Sequence, residues 1–141
     1  MPILITTSEK RERRQIERYP LTNIKEIDAQ HQEILDTINQ LSNGVREGLA
    51  ESELLEIINR FGESLIVHFG TEEKYMMMSN YPDREEHFES HKDFLLTLIL
   101  NKKKFYAQNE PIDLNDLSRQ VASHINTQDK KLAAYLIKQH W

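Results

Sequence analysis

Apolar positions recur along this chain at intervals of three and four, the spacing of one face of an α-helix. The first run holds Ile27, His31, Ile34, Leu35, Ile38, Leu41 and Val45, with Asp28 as its expected N-cap and Gly44 and Gly48 marking its end. A second opens after Ser52 and aligns Leu54, Ile58, Phe61, Leu65, His68, Glu72 and Tyr75. Ser79-Asn80-Tyr81-Pro82 breaks it, because Pro82 cannot continue a helix. A third carries His87, His91, Phe94, Leu95, Leu98 and Phe105 and stops before Asn109-Glu110-Pro111. A fourth starts near Leu114 and turns Leu117, Val121, His124, Ile125, Leu132 and Leu136 inward. No segment alternates with period two. Four amphipathic helices with short connections become antiparallel neighbours, so the pattern predicts an all-α, up-down-up-down four-helix bundle.

The first twenty residues fall outside this pattern. Glu9 to Arg18 hold five basic and three acidic residues with almost no apolar face. Residues 1–20 are therefore expected to form a charged N-terminal arm, and residues 21–141 the bundle. The arm reads as a solvated extension or as a place for a protein partner to dock.

Composition narrows the classes. A chain of 141 residues makes one domain with a real core. Twenty-three acidic against 18 basic side chains argue against nucleic acid or an anionic membrane as the main partner. The longest apolar run, Phe94 to Leu100, is interrupted by Thr97 and far too short to span a bilayer. Ile3-Leu4-Ile5 is too brief for a secretory signal, and there are no cysteines, so a cytoplasmic location is expected. The missing thiols also exclude disulfides, thiolate-bound iron–sulfur clusters, zinc ribbons and a cysteine nucleophile.

What does not fit an ordinary core is the company its apolar residues keep. His31, His68, His87, His91 and His124, five of the six histidines, fall on inward stripes spread over all four helices. Glu72 stands one turn after His68 on the same face. Asp129 is five residues past His124, about 140° further round an ideal α-helix, and so lines up with Ile125, Leu132 and Leu136. A single histidine on such a stripe is commonly a hydrogen-bonded core residue. Two buried carboxylates among five imidazoles are another matter, because desolvation costs many kcal/mol unless a cation compensates. Imidazole and carboxylate suit iron, zinc or manganese. The pairs His68/Glu72 and His87/His91, spaced i,i+4, each set two ligands one turn apart.

These motifs carry a resemblance. Ile27-Asp28-Ala29-Gln30-His31, His68-Phe69-Gly70-Thr71-Glu72-Glu73 with Met76, Tyr81-Pro82 before His87-Phe88-Glu89-Ser90-His91, and His124-Ile125-Asn126-Thr127-Gln128-Asp129 together resemble the bacterial hemerythrins of the HHE cation-binding family. The likeness runs over about residues 19–138 and also implies an up-and-down bundle. It implies two non-haem iron ions, with His87, His91 and His124 on one and His31 and His68 on the other. Glu72, Asp129 and an oxo or hydroxo group would bridge them. The first iron is then six-coordinate, and the second keeps one position for dioxygen, bound reversibly by a carrier, store or sensor. Ile34, Val121 and Ile125 become the walls of an apolar oxygen pocket, Val121 standing where the family commonly has leucine. The other reading from the same resemblance is a di-iron enzyme with oxidase, peroxidase or nitric-oxide-handling activity. The ferritin-type Glu-x-x-His pair is absent from this chain, which disfavours that enzyme subclass.

Overall fold

The structure is a computed structural model and describes residues 19–108 and 110–141. The expectation of a charged arm concerns residues outside these, apart from Tyr19 and Pro20. Tyr19 is buried in the core and lies against His31.

Among the described residues, four helical rods make the bundle. They are α1 (Lys25–Glu47), α2 (Glu51–Met78), α3 (Arg84–Gln108) and a composite fourth rod. The fourth consists of α4 (Leu114–His124), a π-helical segment (Ile125–Asp129) and α5 (Lys130–Lys138). Helical backbone dihedrals persist through both junctions. No described helix is long and apolar enough to cross a membrane.

The ends of the helices follow from local chemistry. Asp28 does not cap α1 as expected; Ile24 holds that position, and Asp28 lies within the first turn. From there its carboxylate reaches back and accepts from Thr22 N (2.8 Å), Thr22 Oγ1 (2.7 Å) and Asn23 N (3.1 Å). It pins the incoming chain instead of starting the helix. At the other end Gly48 adopts φ 73°, and Leu49 N donates to Gly44 O, a left-handed stop for which glycine is suited. Leu49 packs so closely over Gly44 that an added Cβ there would meet its Cδ1 at 2.8 Å. α2 stops the same way at Asn80 (φ 54°), with Tyr81 N donating to Met76 O and Pro82 following. Asp113 caps α4 by accepting from Asp116 N.

The core is divided into two apolar sections with a polar layer between them. A long apolar section includes Ile34, Leu35 and Leu41 of α1, Leu54, Phe61 and Leu65 of α2, Phe94, Leu98 and Phe105 of α3, and Leu117 and Val121 of α4. A shorter one at the opposite end joins Met76, Tyr81, Leu132 and Leu136. The five inward histidines and two acids form the layer between these sections. All seven are buried, Glu72, His68, His87 and Asp129 completely. Met77 and Met78 are exposed beside the buried Met76. Gly70 faces open space.

Candidate metal centre

Each helix delivers its ligand-type side chains to one point. His31 comes from α1, His68 and Glu72 from successive turns of α2, and His87 and His91 from successive turns of α3. The fourth rod needs a special device. A π turn closes on residue i+5, which brings residues five apart into register. The Ile125–Asp129 segment therefore swings Asp129 round beneath His124, away from the position an ideal α-helix would give it. His124 Nε2 and Asp129 Oδ1 end 2.8 Å apart.

All five imidazoles point Nε2 inward. Asp129 Oδ2 lies 2.8 Å from His31 Nε2 and 2.9 Å from His68 Nε2. Its Oδ1 is close to His124 and 3.2 Å from His87 Nε2, yet makes no aligned hydrogen bond. Glu72 Oε1 is 2.9 Å from His91, 3.4 Å from both His68 and His87, and 3.7 Å from His124. Two sets suited to holding a metal emerge, each with its ligand atoms within 4.8 Å of one another. One is Glu72, His87, His91, His124 and Asp129; the other is His31, His68 and Asp129. Asp129 is shared, and Glu72 Oε1 faces His68 as well as the three-histidine set.

The outward nitrogens are held from outside. Gln30 donates through Nε2 to Thr71 Oγ1 (2.8 Å), which turns its Oε1 to accept from His68 Nδ1 (3.0 Å). Glu73 accepts from His91 Nδ1 (2.8 Å), and Ser90 Oγ pairs with His124 Nδ1 (2.9 Å). Phe69 stacks on His91 at 3.9 Å and meets His124 edge-on. Glu73 supports its histidine while its own side chain stays 44 % exposed. Gln30, Ser90 and Phe69 carry no signal of their own in the sequence beyond standing beside a histidine.

Charge in this layer is divided unevenly. Burial, with Asp129 adding to it, pushes Glu72 well above the usual carboxylate range. Burial acts on Asp129 in the same direction, but imidazole contacts, His124 foremost, overcome it and hold this carboxylate far below that range. Burial also lowers His68, and it lowers His91 to about 2 with help from neighbouring histidines. In His124 the contacts to Asp129 and Glu72 outweigh burial and raise it to about 9.

These states make a direct test of whether a cation fits. His68 is neutral, and its one N–H points outward to Gln30. Its bare Nε2 lone pair then faces an ionised carboxylate oxygen at 2.9 Å with no proton between them. Glu72 Oε2 and Asp129 Oδ1 are buried without an aligned partner among the described residues. Buried polar groups normally have one. A positive ion among the inward atoms converts this repulsion into coordination, with donors of the kind that bind transition metals.

The comparisons with known proteins agree. The sequence matches the Hemerythrin HHE cation binding domain over residues 22–136. The chain belongs to this family. Bacteriohemerythrins of Pseudomonas aeruginosa (strains LESB58 and UCBPP-PA14) and Pseudomonas paraeruginosa (strain DSM 24068 / PA7) are each 28% identical over 113 residues. That stretch is 77% of this chain and 71% of each relative. No solved structure matches the chain. Family membership and the buried His/Glu/Asp layer together make this a metal-binding bundle.

Proposed function

We propose that the layer holds two iron ions and that the protein binds dioxygen reversibly, as a carrier, store or sensor. The observation that carries this reading is the three-plus-two division of the imidazoles about a shared Asp129. His87, His91 and His124 would hold one ion and His31 and His68 the other, with Glu72 and Asp129 between them. An iron pair supplies, when bound, the two electrons that reversible oxygen capture requires. The chain's own residues supply the setting. Gln30 and Glu73 keep the outer protons on His68 Nδ1 and His91 Nδ1, so that both Nε2 atoms present lone pairs. Glu72 Oε1 stands 2.9 Å from His91 Nε2, and burial, which favours a proton on this carboxyl, would be opposed by a cation taking that place. Ile34, Val121 and Ile125 are buried within a turn or so of His31 and His124, and we assign them the walls that keep water out.

Five imidazoles against two acids favour binding over oxidase chemistry, because fewer anionic donors stabilise the high oxidation states less. The test is to cycle the iron-loaded, reduced protein between air and argon. A visible absorption change that reverses over repeated cycles supports the reading. Sustained turnover of peroxide or nitric oxide, without reversible binding, would replace it with the enzymatic one.

A further inference from the structure

α3 is apolar on two sides. Its inner face carries His87, His91, Phe94, Leu98 and Phe105, all buried. On the outer face Leu96, Ile99 and Leu100 are 56, 60 and 50 % exposed. The patch continues onto α2 at Ile66, 59 % exposed. Ile66 stands one turn from Gly62, where α2 faces Leu98 of α3. Large aliphatic side chains grouped on one outer face mark an interaction surface more often than scattered ones do.

Charge along the same helix says what fits there. Glu85, Glu86, Glu89 and Asp93 outnumber Arg84 and Lys92 in the first half of α3, whereas the second half carries Lys102, Lys103 and Lys104 and no acid. Glu89, Leu96 and Lys103 follow one another at seven-residue steps, two helical turns each, and so share a stripe. All three are exposed. We propose that this stripe is a homodimer interface: two copies pair through α3, antiparallel, about a two-fold axis at Leu96. Leu96 is the midpoint of Glu89 and Lys103. The axis therefore sets Lys103 of each copy opposite Glu89 of the other, with leucine against leucine at the centre. A parallel pairing would oppose Glu89 to Glu89 and Lys103 to Lys103. Leu100 falls opposite the second copy's Lys92, whose aliphatic stem can lie along it. The stripe points away from His87 and His91, so pairing leaves the metal layer undisturbed.

Helices of about 37 Å make a modest interface, and the dimer is expected to form in the range of tens of micromolar. Sedimentation of the full chain over a concentration series should show a monomer–dimer equilibrium that Leu96→Asp abolishes. Glu89→Lys or Lys103→Glu alone should weaken it about tenfold, and the Glu89→Lys/Lys103→Glu double variant should restore it. Since the chain has no cysteine, Leu96→Cys provides a single thiol that a short bismaleimide should cross-link across the axis. Ala107→Cys should not cross-link, its two copies lying about 33 Å apart along the helices. The proposal is overturned by a chain that stays monomeric at several hundred micromolar. A dimer indifferent to Leu96→Asp, or one that the double charge swap fails to restore, overturns it equally.

Discussion

The two halves of the polar layer use the same imidazole chemistry and are braced differently. In the three-histidine half, His91 is backed by the carboxylate of Glu73 and His124 by the hydroxyl of Ser90, while the outer nitrogen of His87 has no partner among the described residues. Ser90 and His124 also line a cleft of about 370 Å³ between α3 and the fourth rod, with Gln120 and Thr127. In the two-histidine half, among the described residues, His68 is backed only by the neutral amide of Gln30 and His31 has no outer partner. Tyr19 covers His31 edge-on, and its buried hydroxyl is itself unpartnered. A carboxylate behind an imidazole makes it a stronger donor, and an amide does so less. On the proposed function, the first half would surround a metal with more, and more strongly braced, donors, and the second would hold one with fewer donors under Tyr19, leaving room for a small gas.

The largest effect should come from removing what the halves share. Asp129→Asn takes the bridging charge from both sets, and tight binding of both metals should be lost, a fall of at least a hundredfold in affinity by metal titration. Two metals retained at near-native affinity would mean the halves are independent of Asp129. Next come the outer partners. Glu73→Ala should weaken metal binding about 10- to 100-fold, and Gln30→Ala by less. Equal losses would erase the distinction between charged and neutral bracing.

Protons sharpen the contrast further. His124, raised to about 9, is protonated at pH 7 in the metal-free protein, and burial biases Glu72 toward its protonated form. Asp129, held low, is not protonated. A metal must displace protons from the raised groups, so affinity should climb as pH rises from 6 toward 9, with proton release on binding. Flat affinity across that window would contradict these assignments. The smallest effect concerns the cover. Val121→Leu should slow autoxidation of the oxygenated protein a few-fold by filling space beside His124, and equal half-lives would show that Val121 is ordinary core packing.

Much of this was legible in the sequence because it is local. The pairs His68/Glu72 and His87/His91 announce a shared face through spacing alone, and Gly48 and Pro82 announce helix ends. Asp129 shows where such reasoning stops. Its five-residue offset places it about 140° round an ideal helix from His124, in line with Ile125 and Leu132, and the π segment instead brings it into register with His124. The strain of a π turn is offset by contacts among residues far apart in the chain, which no window of sequence displays. Asp28 misled in a milder way, since a good capping residue one turn inside a helix can serve the preceding loop. Gln30 with His68 and Ser90 with His124 are contacts across 38 and 34 residues, invisible until the helices are packed.

The most direct test counts iron per chain in the aerobically purified protein beside its His68→Ala variant. The account predicts two irons in the parent chain and one in the variant, held by His87, His91 and His124. A parent chain that holds no iron after loading, or a variant that keeps both, would contradict it.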